Sequence, residues 1–232
     1  MPLPTVIIPG YLAGAAPYRP LETYLQQQGI PAMTVPLIRR DWIPTLGGRS
    51  VQPILTAIAA TVTRLQSETG CDGVNIVGHS AGGWIARIYL GEQPYAVHNC
   101  DRDRPNCWSG HKQVHTLLTL GTPHISQERW TRRNLDFVNQ TYPGAFYNSV
   151  RYVCVAGKAI YGKRWGTWFT YNSYQLTCGQ GDCWGDGITP ITAAHLDNAQ
   201  NLLLENVYHS PRPDGDWYGN AAIAAQWLPY LT

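Results

Sequence analysis

The sequence is short of several things, and each shortage excludes something. No apolar run approaches the roughly 18–20 residues that a membrane-crossing helix needs. Met1-Pro2-Leu3-Pro4 brings no basic region, and Val6-Ile7-Ile8 is too short for the core of a signal peptide. The chain therefore reads as soluble and cytoplasmic, with peripheral contact to an internal membrane left open. Seventeen Lys and Arg against fifteen Asp and Glu leave a net charge of +2, too weak a field for nucleic acid as the main partner. The cysteines at 71, 100, 107, 154, 178 and 183 have no zinc-like spacing, and no His-Glu-x-x-His occurs, so no metal and no cofactor are expected. Cys100 with Cys107 and Cys178 with Cys183 lie near enough in loops to meet, although a reducing compartment favours free thiols. Phenylalanine is scarce, at three, against nine Trp and fourteen Tyr. Trp and Tyr carry a polar tip on an apolar body and suit interfaces and wet pocket walls as well as cores.

What is present is a regular alternation. Val6–Ile8 reads as a buried strand. Leu21, Tyr24, Leu25 and Gln28 fall at helical spacing, with Gly29 as a stop. Residues 32–37 read as a strand. Ile54, Leu55, Ile58, Val62 and Leu65 mark a long helix, with Ser50 as N-cap and Gly70 as its end. Strands follow at 74–77, 114–120, 152–155 and about 201–207, and a last helix spans about 220–231. Residues 91–113 read as a surface loop. Residues 125–149 form an excursion where a short lid fits, and 158–183 form a second, aromatic-rich one. Alternating strands and helices predict an α/β fold, a mostly parallel sheet with helices on both faces. The length suits one domain over 1–232, with no repeat, linker or low-complexity segment.

The chemistry centres on Gly78-His79-Ser80-Ala81-Gly82. It follows an apolar strand and precedes the helical stretch 83–90. A serine in such a turn takes a strained backbone conformation, and the residues two before and two after must be small. The turn lifts the hydroxyl above the sheet edge and aims a helix N-terminus at it.

A serine hydroxyl is a poor nucleophile until a base takes its proton, and the base is usually a histidine held by a carboxylate. In the α/β-hydrolase chain order, acid and histidine follow the serine. His209, directly after the last strand in Val207-Tyr208-His209-Ser210-Pro211, is the chosen base, with His195 its competitor. Asp186, between glycines in Trp184-Gly185-Asp186-Gly187, is the chosen acid, with Asp182 and Asp197 the other candidates. An oxyanion hole needs two aimed backbone N–H groups. Ala81 supplies one, and Tyr11, in the glycine-containing loop after the first strand, is chosen for the other.

These residues resemble the α/β-hydrolase lipases, which implies an α/β-hydrolase fold with a short lid. Gly78-His79-Ser80-Ala81-Gly82-Gly83 with Leu120-Gly121-Thr122-Pro123-His124 is similar to bacterial triacylglycerol lipases and to GPI inositol-deacylase-like lipases. The Trp-Gly-Asp-Gly turn at 184–187 and Val-Tyr-His-Ser-Pro at 207–211 resemble cyanobacterial and plastid lipases of membrane glycerolipids, especially galactolipids. The likeness runs from Pro9 to Gly219. It implies Ser80, Asp186 and His209 as nucleophile, acid and base, and hydrolysis of carboxylic esters. Many lipases carry histidine where this chain has Pro9, which weakens the oxyanion assignment slightly.

On the substrate side, residues 161–171 mix Trp165, Trp168 and Phe169 with Lys163 and Arg164 in an expected loop. Trp and Tyr favour the lipid headgroup boundary, and Lys and Arg meet anionic lipid. The other reading is that these aromatics cover the sheet edge. Residues 129–138 read as a short amphipathic helix beside the pocket mouth. The expectation is a serine lipase working peripherally at a membrane surface, with lipid as its partner and no protein partner. The alternatives are a soluble-ester esterase or thioesterase, an acyltransferase, and a non-catalytic ligand-binding protein on the same fold.

Overall fold

The computed structural model describes residues 2–98, 101, 106–212 and 215–232, without the side chain of Trp130. Buried β-branched and leucine runs form the sheet. Its strands are β1 (Thr5–Ile8), β2 (Ala32–Thr34), β3 (Val74–His79), β4 (Val114–Leu120) and β5 (Arg151–Lys158). Two short pieces, β6 (Ile160–Tyr161) and β7 (Trp184–Gly185), pair antiparallel, and β8 (Gln200–Glu205) closes the main sheet. The order is β2-β1-β3-β4-β5-β8, with every pairing parallel. β9 (Val207–Tyr208) and β10 (Asp216–Trp217) form a small parallel pair.

The helices are α1 (Arg19–Gln27), α2 (Gln52–Thr69), α3 (Ala81–Leu90), α4 (Arg129–Thr141), α5 (Trp168–Cys178), α6 (Ile191–Ala194) and α7 (Ala221–Trp227). Period-two alternation in β1 sends Val6 and Ile8 to one face and Ile7 to the other. On the first face they join α2, α3 and α4 through Ile54, Ile58, Trp84, Ile85, Leu135 and Val138. On the second, Ile7 joins α1 and α7 through Leu21, Leu25, Ile223 and Trp227. Both faces are covered, as an all-parallel sheet requires.

The order reverses direction between β1 and β3. Such a switch point opens a crevice at the carboxyl ends of the strands, and Gly10 and Ser80 stand there, one after each strand.

Several expectations change. The strand expected over 32–37 ends at Thr34, and that expected over 201–207 breaks at Asn206, whose φ of 60° separates β8 from β9. Ser50 lies one residue ahead of the N-cap Val51, although its Oγ accepts the Gln52 N–H at 3.2 Å. Gly70 ends α2 with φ of 69°. Of the expected loop 161–171, Tyr161 belongs to β6 and Trp168 and Phe169 open α5, which leaves residues 162–167 as loop. Of the surface loop expected over 91–113, the described residues include Tyr95, which is fully buried, and a short 3-10 turn at Gly110–Lys112. Cys100 lies outside the described residues. Cys107, Cys178 and Cys183 are free thiols. Among the described residues no helix is long and apolar enough to cross a membrane.

Candidate active site

β3 ends at His79 and α3 begins at Ala81, so Ser80 carries the whole change of direction, at φ 52° and ψ −124°. That backbone region is sparsely populated and costs about 1–3 kcal/mol. The elbow closes only because its flanks are glycine. A Cβ on Gly78 would lie 2.6 Å from the Gly83 Cα, and one on Gly82 would lie 2.6 Å from the Ile8 carbonyl oxygen.

The structure brings together the three residues singled out from the sequence. His209 follows β9, and its Nε2 lies 3.0 Å from Ser80 Oγ. Its Nδ1 lies 2.8 Å from Asp186 Oδ2. Its backbone N–H donates to the Asp186 carbonyl at 3.0 Å, which locks the two turns together. A carboxylate beside Nδ1 keeps the proton of the neutral ring there and leaves Nε2 free to accept from Ser80. Asp186 is buried, and every carboxylate lone pair has a use. Oδ1 accepts the N–H groups of Ile188 and Thr189 at 3.0 and 2.7 Å, and Oδ2 also accepts the Tyr218 hydroxyl at 2.7 Å. Burial pushes this carboxyl up, but the facing His209 and the Thr189 and Ile188 N–H groups outweigh it, so the pKa lies below the ordinary value.

The competing residues lie elsewhere. Asp182 and Asp197 are exposed. His195 ends α6, half-buried, and takes no part in the Ser80 contacts.

Three tyrosines and a histidine were not foreseen. Tyr218 also accepts the Gly157 N–H at 2.8 Å, so it pins the acid to the end of β5. Burial, then the Asp186 charge, raise its pKa well above the usual phenol value. Tyr174 on α5 accepts the Gly187 N–H at 2.9 Å and donates to the Ile160 carbonyl at 3.1 Å. The aromatic segment thus props up the acid turn. His79 Nε2 lies 2.7 Å from the His209 carbonyl and must donate to it, so Nδ1 accepts from the Tyr18 hydroxyl at 2.7 Å. That hydroxyl in turn accepts the Gly10 N–H at 2.9 Å. One proton arrangement satisfies this chain, and it ties the loop after β1 to the His209 turn. Burial, then the neighbouring His209, push the His79 pKa down to about 3. His79 was readable as part of the serine motif. Tyr18, Tyr174 and Tyr218 carry no local signal, because only the tertiary fold brings them in.

Ser80 and Ala81 open into a cavity of about 550 Å³. Trp42, Leu46, Trp84, Leu135, Phe169 and Leu176 give it mostly apolar walls, and Tyr11 stands at its rim. The Trp42 Nε1–H donates to the Ala13 carbonyl at 2.8 Å, and its ring meets Tyr11 edge-on at 5.4 Å, which steadies the loop after β1. Ala81 opens α3, where first-turn N–H groups have no acceptor within the helix. Trp165, Trp168 and Phe169 are 88%, 65% and 67% exposed, so they do not cover the sheet edge as core. Among the described residues no group of three or more His, Cys, Asp and Glu is placed to hold a metal.

No protein-family model matches the sequence, and no curated protein matches it either. Solved structures do match the fold along the whole chain. The Bacillus licheniformis lipase BlEst2 in its mature form superposes with a TM-score of 0.65 at 19% identity, covering 100% of this chain and 92% of its own. MGS-MChE2, an α/β-hydrolase enzyme from a metagenome of lagoon sediments at Mar Chica, Morocco, gives 0.50 at 14%, covering 99% and 92%. The product of gene lin2722 from Listeria innocua gives 0.51 at 12%, covering 98% and 93%. The chain has the α/β-hydrolase fold. In the α/β-hydrolase fold the strand–turn–helix at 74–90 and the turns after β7 and β9 all end on the carboxyl edge of the sheet. That is why residues 80, 186 and 209 meet.

Proposed function

We propose that the protein is a serine carboxylic-ester hydrolase acting on acyl esters of glycerolipids, membrane glycerolipids such as galactolipids among them, as a peripheral enzyme. The observation that carries this reading is the unbroken Ser80–His209–Asp186 chain opening into a largely apolar cavity. Ser80 Oγ attacks the ester carbonyl while His209 Nε2 takes its proton, and Asp186 holds the ring and stabilises the imidazolium. The N–H groups of Ala81 and Tyr11 receive the oxyanion of the tetrahedral intermediate. His209 then protonates the leaving alcohol. Water, activated by the same histidine, releases the acyl group from Ser80, and no cofactor enters any step.

The substrate side of the reading rests on the cavity walls and the rim. Trp42, Trp84, Leu135 and Leu176 suit an acyl chain, and the exposed Trp165 and Trp168, which precede the cavity-lining Phe169 in the chain, suit a headgroup boundary. The resemblance of the 184–187 and 207–211 turns to glycerolipid lipases points the same way. The test compares hydrolysis of a dispersed long-chain triacylglycerol, a dispersed galactolipid and a dissolved short-chain ester by the wild type and Ser80→Ala. Turnover of both dispersed lipids, abolished by Ser80→Ala, is the expected result. Turnover of the short ester alone would make the protein a soluble-ester esterase. Turnover of none would overturn the enzyme reading.

A further inference from the structure

The charges of this chain are not spread evenly. Most of the cavity lining comes from residues within 42–51, 126–135 and 169–177, and with their flanks these stretches span 39–51, 126–141 and 160–178. The first carries Arg39, Arg40 and Arg49, the second Arg129, Arg132 and Arg133, and the third Lys163 and Arg164, all exposed. Only three carboxylates share these segments. Asp41 is occupied by the Ile38 N–H at 2.8 Å, Glu128 sits at the cavity wall, and Asp136 faces Arg132 at 3.4 Å. The remainder of the sequence holds nine cations against twelve carboxylates. A molecule with a net charge of only +2 therefore puts an excess of five positive charges on its cavity-bearing segments and is net negative elsewhere.

Apolar side chains stand among these cations. Ile43 is 58% exposed, Trp165 88%, Trp168 65% and Leu176 54%. A hydrated polyanion has no use for such aliphatic and indole surface, whereas the headgroup region of a bilayer takes both: indoles at the boundary, aliphatic side chains below it, guanidinium and ammonium groups on the phosphates.

We propose that the cavity-bearing face docks on a bilayer with net negative surface charge, and that anionic phospholipid, rather than a neutral lipid surface, recruits the protein to its substrate. This rests on the lipid-ester reading above and sharpens it. The cations supply the long-range attraction and orientation, Trp165 and Trp168 the short-range insertion, and the orientation brings the cavity mouth to the lipid. The Debye length is about 8 Å at physiological ionic strength, so recruitment weakens as salt rises.

The full chain carrying Ser80→Ala, which binds without turnover, is sedimented with vesicles of phosphatidylcholine alone or with phosphatidylglycerol at three parts in ten. Binding tighter by on the order of tenfold or more on the anionic vesicles, and largely lost at high salt, is expected. Lys163→Glu with Arg164→Glu removes most of that preference. Lys112→Glu with Arg151→Glu makes the same change of charge at the opposite, amino edge of the sheet and leaves the preference intact. Equal binding to both vesicles overturns the proposal, and so does an equal loss from the two charge reversals. Hydrolysis of a dissolved short ester by the Ser80-bearing versions of both reversals keeps the outcomes apart. That activity is expected to equal wild type, and its absence in the wild type would sink the hydrolase reading instead.

Discussion

Two regions of this molecule are built on opposite principles. At Asp186 the whole carboxylate is committed: four hydrogen bonds converge on it, two turns are clasped by a backbone bond, and a second histidine braces the first. In the segment 160–178, Trp165 and Trp168 project into solvent, and exposed Lys163 and Arg164 stand there with no carboxylate in the same segment. The first region fixes Ser80, His209 and Asp186 in hydrogen-bond register, as the proposed chemistry requires. The second leaves its indole surface uncovered, which suits the proposed contact with a lipid boundary. Substitutions should therefore act on chemistry in the first region and on access to lipid in the second.

The largest effect lies at the elbow. Ser80→Ala is expected to lower kcat on the order of 10⁶-fold, as triad knockouts do, with an unchanged urea midpoint. His209→Ala should match it in kinetics and His195→Ala should not. Next comes the acid. Asp186→Asn reverses the preferred tautomer of His209 and should lower kcat roughly 10⁴-fold, whereas Asp182→Asn, at an exposed position, should leave steady-state rates unchanged. The opposite ranking would move the acid and undo the comparison.

Tyr218→Phe sharpens it further. It removes one donor from Asp186 and leaves the Gly157 N–H unpaired, so stability should fall by about 1–3 kcal/mol. The rate on a dissolved ester should fall about tenfold through kcat rather than KM, because the tyrosine acts through the acid.

His79 gives the same interior a pH signature. Its folded pKa of about 3 lies below the ordinary histidine value, so the unfolded chain binds the extra proton first. Its contribution is complete above about pH 6.5 and falls by up to about 1.4 kcal/mol per unit as pH drops toward 3. Urea titrations across that window should show the decline, and a His79→Gln variant should show a shallower one. The smallest effect belongs to the mouth. Trp165→Ser with Trp168→Ser should change stability by no more than about 0.5 kcal/mol and leave the dissolved-ester rate alone, while slowing hydrolysis of dispersed lipid. Loss of both activities with a lower melting temperature would make these tryptophans core.

The same division explains what could be read from the sequence. The alternating elements, the parallel sheet and the meeting of Ser80, Asp186 and His209 were legible because each leaves a local mark: an apolar run, a glycine-flanked serine, an aspartate between glycines. Tyr218, Tyr174 and Tyr18 left none, since a buried phenol that bonds a residue 32 or 61 positions away looks like any core tyrosine. The start of α5 was missed because Trp168 and Phe169 lack a capping side chain and stand beside Gly166, so propensity and spacing pointed to a loop. β8 was drawn too long because Asn206 in the left-handed region interrupts an otherwise continuous run.

The central claim is that Ser80 forms a covalent bond to the acyl carbon. Intact-mass analysis after incubation with a long-chain alkyl phosphonate ester tests it most directly. The account predicts a single stoichiometric adduct on the Ser80 peptide of the wild type, slowed by Asp186→Asn and absent from Ser80→Ala. No adduct on the folded wild type, or an equal adduct on Ser80→Ala, would contradict it.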